Sequence, residues 1–316
     1  MKNMKKIVAL AMAAAMTATL AACGSSSGSS SSSASSSAPA AESTAAAETT
    51  QTNVDPAVEA STDATATTES AAADAQTPDL SSDKYVGDGV WTVGTNATFP
   101  PFEYIDDNGQ PTGFDVALVQ EIGKRLGLKV EVQDMEFDAL VASIGSKIDA
   151  AAAGMTVTDE RKKTVDFSEA YYDATQAVLV KKGSSIKTQD DLKNAKVGVQ
   201  LGTTGAGIAD DLHGEGSDKT VTYNSYNDVV QDLINGKTDA VIMDQVPAEA
   251  YQSQSGDQLE VLPGTQFNFD TEEYAIALPK GDTELLDAVN GAIDAMKADG
   301  TFDSLVDKWI NNYSAE

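Results

Sequence analysis

The chain has 316 residues, 49 Asp and Glu against 21 Lys and Arg, a formal net charge of −28, one Cys and one His. So acidic a balance excludes nucleic acid as a partner, because phosphate backbones are held by basic surfaces. One cysteine excludes an intrachain disulfide, and a single Cys and His supply neither a clustered metal set nor a Cys–His catalytic pair; no cofactor, no metal and no catalytic residue is expected.

Residues 1–22 open with Lys2, Lys5 and Lys6 and continue as an uncharged, Ala-rich apolar run. That is the pattern of an export signal, and no basic stop follows it. Leu20-Ala21-Ala22-Cys23 resembles the lipid-attachment box of bacterial lipoproteins. The resemblance implies cleavage before Cys23, acylation of Cys23, and an extracytoplasmic protein anchored to the cell membrane, as on a Gram-positive-like surface. Residues 24–80 are mostly Ser, Ala and Thr, with eight acidic residues and no basic one. This composition cannot form a core and is expected to be a disordered tether. As a flexible coil it has an end-to-end distance of roughly 40–45 Å. Residues 23–83 are therefore read as lipidated cysteine plus acidic tether.

From Lys84 onward enough chain remains for a sizeable core and two lobes. Residues 89–94 read as a strand, stopped by the Pro100-Pro101 loop. Asp107-Asn108-Gly109 marks a turn. Residues 114–126 are amphipathic, with Val116, Ala117, Leu118, Ile122 and Leu126 able to form a buried face. Residues 128–132 alternate as a strand, and 137–144 have helical spacing. An apolar run, Ala150 to Ala153, then reads as a buried strand ending at Gly154. A polar segment and a short charged helix follow, with Thr158 or Asp159 able to cap it. The Thr156 hydroxyl, backbone groups and Arg161 together suit a carboxylate, because arginine offers a rigid fork of donors. This βαβα order favours a sheet covered by helices.

The second half repeats the device. Strands are expected at 196–201 and 221–223, with Gly202-Thr203-Thr204-Gly205 opening a helix between them. Residues 226–244 echo 137–154: Ile144 and Ile234, Lys147 and Lys237, Asp149 and Asp239, and Gly154 and Asp244 each lie ninety positions apart. Each copy reads as helix, Lys-x-Asp-Ala turn, buried strand and a polar residue at its carboxyl end. Ligands in open α/β sheets lie beyond such ends, so two facing sheets would place 154–161 and Asp244 across one cleft. Residues 273–278 read as one further strand, 285–296 as a helix, and 302–313 as a second helix with Phe302, Leu305, Val306, Trp309 and Ile310 turned to the core. His213, in a polar run, is expected at the surface.

The motifs GTNATFPPFEY, GFDVAL, AGMTVTDERKKTVDFSEAYY, GTTG and DAVIMD, in that order over residues 89–313, resemble the solute-binding proteins of polar amino-acid ABC transporters. The resemblance implies two α/β lobes of the periplasmic-binding-protein type joined by two crossing strands, near 171–175 and 270–274, with the ligand between them. Lobe one would comprise 84–174 and 273–316, and lobe two 175–272. It also implies a binding site. Arg161 matches the carboxylate-binding arginine, Gly154 and Thr156 the residues before it, and Asp244 the ammonium-binding aspartate. Phe99 and Phe137 match the aromatic walls, and Gly202, Thr203 and Thr204 the loop of amide donors. Asn96 and Gln200 fall where side-chain preference is set, with Met243 lining the same region.

Elementary chemistry agrees, because a free amino acid is a zwitterion and needs donors at one end and an anion at the other. Arg161 and the helix start after Gly202 suit the carboxylate, and Asp244 the ammonium, although Asp244 could equally cap the next helix and Thr203 or Thr204 its own. Neutral Asn96 and Gln200 point to a neutral, glutamine-like amino acid. Glu103 and Glu136, near the aromatic walls, keep open a basic one such as arginine, lysine or histidine. The expected partners are a free L-amino acid and a membrane permease, with the chain a monomer. The alternatives are a non-transport sensor lipoprotein and an enzyme such as a dehydratase on the same fold.

Overall fold

The computed structural model describes residues 77–314, so the expected signal segment, Cys23 and most of the expected tether lie outside the described residues. The folded part starts before Lys84, because Leu80 is 5% exposed and packs in the main core.

Strand β1 (Val90–Thr95) leads to a small antiparallel sheet of β2 (Thr98–Phe99), β3 (Glu103–Ile105) and β4 (Pro111–Thr112). Helix α1 (Phe114–Leu126), β5 (Lys129–Asp134), α2 (Phe137–Ser143) and β6 (Ala150–Ala151) follow, then a 3-10 turn at Arg161–Lys163 and β7 (Val165–Phe167). The long strand β8 (Tyr172–Lys181) opens the second half. It is followed by α3 (Gln189–Leu192), β9 (Val197–Gln200), α4 (Thr204–His213), β10 (Thr220–Tyr223), α5 (Tyr226–Ile234), β11 (Ala240–Asp244), α6 (Gln245–Gln254) and β12 (Leu259–Pro263). Last come β13 (Thr271–Tyr274), β14 (Ala277–Pro279), α7 (Thr283–Asp299), α8 (Thr301–Val306) and a π-helical turn at Asp307–Asn311.

These strands form two main sheets. Sheet one has the order β5-β1-β6-β14-β7, and sheet two β10-β9-β11-β8-β12, with β13 also on β8. The β8–β13 ladder is antiparallel, Tyr172 opposite Tyr274 and Thr175 opposite Thr271, and carries the chain between the sheets. The fold is thus the expected bilobed α/β architecture with crossing strands.

Local chemistry explains each element. Helix α1 buries Val116, Leu118, Ile122 and Leu126 as its spacing demands, with Phe114 and Val119 added and Ala117 half-buried. Gly127 ends it in the left-handed region, where glycine has no steric penalty. Strand β11 is buried throughout: Val241 and Met243 join one core cluster, Ala240 and Ile242 the other. A strand covered on both faces alternates its side chains between two cores.

The ninety-residue echo is a physical one. The Asp149 amide donates to Thr92 O at 2.7 Å, and its carboxylate accepts from Thr92 N at 2.8 Å. Asp239 makes the same pair of bonds to Lys196, at 2.7 and 2.8 Å. In each copy an aspartate clamps the incoming strand to its parallel neighbour, β6 to β1 and β11 to β9.

Two expectations need correction. The run 273–278 is two strands, not one: Tyr274 still pairs with Tyr172 in the crossing ladder, whereas Ala277 lies between Ala151 and Phe167 in sheet one. The apolar run 150–154 is extended only at its first two residues, because Gly154 turns at φ 51°.

Candidate functional site

Ten of the twelve residues given site roles from the sequence line one cavity between the two sheets, together with Glu103, Ala153 and Tyr226, whereas Gly202 and Met243 do not. Phe99, at the end of β2, stacks on Tyr226 at the start of α5, with ring centroids 5.5 Å apart. Phe137, the first residue of α2, lies under the Arg161 guanidinium at 5.2 Å, close enough for a cation–π contact. Gly154 must be glycine for space as well as backbone angle, since a Cβ there would stand 2.8 Å from Phe99 Cε1. Its amide donates to Asp115 Oδ2 at 2.7 Å, where the Tyr171 hydroxyl also donates at 2.6 Å.

Arg161 is fixed from both lobes. Its backbone amide donates to the Thr158 hydroxyl at 3.2 Å, although Glu160, with no side-chain capping bond, is the residue before the 3-10 turn. Nη1 donates to Thr156 O at 2.6 Å and Nη2 to Gly202 O, across the cleft, at 3.0 Å. Burial pushes the guanidinium pKa down, opposed by the charges of Glu272 and Asp244. The Thr156 hydroxyl donates to Glu272 Oε2 at 2.6 Å, so its proton is already engaged.

In lobe two, Thr203 is the helix cap: its hydroxyl accepts from Ala206 N at 3.2 Å and donates to Gln200 O at 2.8 Å. Thr204, one residue on, donates to Glu272 Oε2 at 2.9 Å. Gln200 Nε2 donates to Asn96 Oδ1 at 2.8 Å and to Asn224 O at 2.7 Å, which commits both of its amide protons. Asn96 Nδ2 donates in turn to Met135 O at 2.8 Å.

Acids dominate the cavity. Asp244 ends β11 at the first position before α6, yet its side chain makes no capping bond. It is 7% exposed, its Oδ1 has no hydrogen-bond partner, and burial raises its pKa to about 7 with help from Glu272. Glu103 is fully buried, and burial, together with the charge of Asp115 and a hydrogen bond shared with its carboxyl, pushes the Glu103 pKa well up. Burial also raises Asp115, to about 6, against the lowering effect of the Gly154 amide and the Tyr171 hydroxyl.

Several residues fall outside the expected roles. Met243 belongs to the core and does not line the cavity. Glu136 is exposed, so of the two acids near the aromatic walls only Glu103 faces the cavity. His213 is half-buried and structural, its ring nitrogens 3.0 Å from the Thr220 hydroxyl and 2.9 Å from Leu192 O. Tyr226 and Glu272 were missed. Tyr226 opens α5 as Phe137 opens α2, but it lies one position short of the ninety-residue register, so strict spacing does not reveal it. Among the described residues no cluster of three or more His, Cys, Asp and Glu is set to hold a metal ion.

A cleft between two α/β lobes, with a clamped arginine on one side and a buried aspartate on the other, defines a binding protein for a small zwitterionic solute. Residues 91–312 match the family described as bacterial extracellular solute-binding proteins, family 3, and the chain belongs to that family. It is 39% identical over 226 residues to the L-cystine-binding protein TcyJ of Escherichia coli K12, covering 70% of this chain and 83% of that protein. It is 38% identical over 219 residues to the arginine-binding extracellular protein ArtP of Bacillus subtilis 168, covering 69% and 85%. Among solved structures, an ancestral arginine-binding protein bound to arginine is 44% identical with a TM-score of 0.66, covering 70% of this chain and 98% of its own. An ancestral arginine-binding protein bound to glutamine is 43% identical with a TM-score of 0.65, covering 70% and 97%. The chain is a solute-binding protein of the amino-acid ABC-transporter type, and it binds its solute rather than converting it.

Proposed function

We propose that the chain captures a free basic amino acid, arginine foremost, outside the cytoplasm and delivers it to the permease of an ABC importer. The observation that carries this reading is the acidic balance of the cavity. Asp244, whose Oδ1 lacks a donor, and Glu103 both line it, whereas Arg161 is the only Lys or Arg among its lining residues. A buried, unpartnered acceptor is costly, and a ligand rich in N–H groups relieves that cost. A glutamine-like ligand, the first expectation from Asn96 and Gln200, loses support because the Gln200 amide protons are committed to oxygens. Arginine-binding relatives favour the basic alternative as well.

In this reading Arg161 and the amides around Gly202–Thr204 hold the α-carboxylate, Asp244 the α-ammonium, and Phe99 and Phe137 the apolar part of the side chain. Residues 84–174 and 273–316 act as one rigid lobe and 175–272 as the other. A ligand touching both lobes shifts the population toward the closed form, which docks on the permease as a monomer. Lipid on Cys23 and the acidic tether hold the chain at the outer face of the cell membrane, and a sensor without transport would use the same cleft.

Calorimetric titration of refolded, ligand-stripped protein against the L-amino acids and L-cystine tests the reading. Saturable 1:1 binding led by arginine is expected. Preference for glutamine or cystine overturns the substrate class, and binding of no α-amino acid overturns the function.

A further inference from the structure

Glu272 is not one of the cavity-lining residues, yet it controls two that are. It stands on β13, in the ladder that joins the lobes, opposite Ala174. Its Oε2 is the shared acceptor for two hydroxyls, one from each side of the cleft: Thr156 at 2.6 Å and Thr204 at 2.9 Å. A hydroxyl has one proton to donate and two lone pairs with which to accept. With both protons directed at Glu272, each hydroxyl oxygen can only accept from anything else. The second contact at Thr204 obeys this, since its oxygen takes a bond from Gln176 Nε2 at 3.2 Å. Thr156 Oγ1 has an acceptor position left, on a residue that lines the cavity.

The orphaned Asp244 Oδ1 lines that cavity too. An α-ammonium group, with three protons to place, matches an acceptor hydroxyl and a carboxylate together. The α-carboxylate does not, because the Thr156 hydroxyl has no proton to offer it. That changes the role expected of Thr156 from its place beside Arg161. Carboxylate recognition then falls to the Arg161 fork and backbone amides, and Thr156 belongs to the ammonium pole.

We infer that Glu272 is a positioning residue that sets the polarity of the cleft: by engaging the proton of Thr156 it makes that hydroxyl an acceptor and so selects for the ammonium end of the substrate. The inference rests on the amino-acid reading given above but not on which amino acid is bound. It separates Glu272 from a residue that acts through charge alone, because a neutral amide oxygen at the same place can also accept from both hydroxyls.

The test is a double-mutant cycle read by calorimetric titration with L-arginine, or with whichever amino acid the wild type binds best, each variant first checked for an unchanged thermal melt. Glu272→Ala is expected to weaken binding about tenfold, the scale of one charge-assisted hydrogen bond. Glu272→Gln is expected to retain affinity to within about threefold, because its amide oxygen still accepts. In a Thr156→Val background, adding Glu272→Ala should cost less than about threefold, because the hydroxyl through which it acts is gone. Equal losses in Glu272→Gln and Glu272→Ala mean that charge alone matters and overturn the inference. So do unchanged or tighter binding in Glu272→Ala, which makes Glu272 a bystander or a competitor of the substrate carboxylate, and a loss that persists in full without the Thr156 hydroxyl. If the wild type binds no amino acid, the functional reading falls first and this one with it.

Discussion

Arg161 Nη2 donates to the carbonyl oxygen of Gly202 at 3.0 Å, joining a side chain of lobe one to the backbone of lobe two. The same guanidinium is anchored at home by Thr156 O at 2.6 Å. Two carbonyls therefore aim the fork, and its remaining N–H groups are free for a ligand. Lysine keeps the charge but cannot meet two carbonyls and a carboxylate in one plane. Arg161→Lys is expected to lose about 100-fold in amino-acid affinity and Arg161→Ala more, by calorimetric titration, in line with the loss of charge-assisted, bidentate bonds. An Arg161→Ala protein that binds like the wild type would remove Arg161 from the site.

Asp244 gives a prediction in pH. Its pKa is raised to about 7 by burial, so the folded, ligand-free protein holds a proton there that the unfolded chain has released. Between the ordinary carboxylate range and about pH 7 the native state binds more protons than the unfolded state, and stability falls as pH rises through that window. Asp244→Asn removes the buried charge. It is expected to raise the melting temperature of the ligand-free protein at about pH 8 while abolishing amino-acid binding, a trade of function for stability.

A second consequence of the same group concerns the ligand. An ammonium beside Asp244 favours the carboxylate form, so binding near pH 7 should release part of a proton. Titration in buffers of different ionisation enthalpy measures this as a slope in the apparent binding enthalpy. A slope of zero at about pH 7, or proton uptake, contradicts the assignment of Asp244 to the ammonium.

Gly154→Ala should damage both fold and site. The new Cβ would lie 2.8 Å from Phe99 Cε1 and 3.0 Å from Phe99 Cδ1, at a backbone φ of 51°. Displacing the aromatic wall and straining the turn should cost roughly 1–3 kcal/mol, measured by denaturant unfolding. Affinity should fall as well, since Phe99 is held against Tyr226.

Asn96→Asp is expected to change selectivity, at some cost in stability because it buries a charge and loses a hydrogen bond. An aspartate keeps the bond accepted from Gln200 Nε2 but loses the donation to Met135 O. Its added charge should raise affinity for arginine and lysine relative to glutamine by about tenfold, read by competition. An unchanged ranking places the side-chain subsite elsewhere.

Periodic features were legible in the residues. Helix α1 has the expected bounds because its apolar spacing and the glycine that ends it agree. The Asp149 and Asp239 clamps were visible as an echo because both copies solve one local problem, fastening a strand edge. What escaped was convergence from distant segments. Glu272 has no local pattern to mark it, and its importance exists only where β13, Thr156 and Thr204 meet. The neutral-ligand reading loses support for the same reason: Asn96 and Gln200 look like ligand donors in isolation, but folding turns them on each other.

The position of β14 has a consequence for how the molecule is assembled. This strand lies between β6 and β7, yet it is made more than a hundred residues after them. A chain emerging amino terminus first therefore leaves an open slot inside sheet one, while sheet two has every strand from β8 to β12 in hand. Sheet two can therefore pair completely before sheet one does, and the cleft exists only once residues 271–316, about the last seventh of the chain, have threaded back and closed the slot.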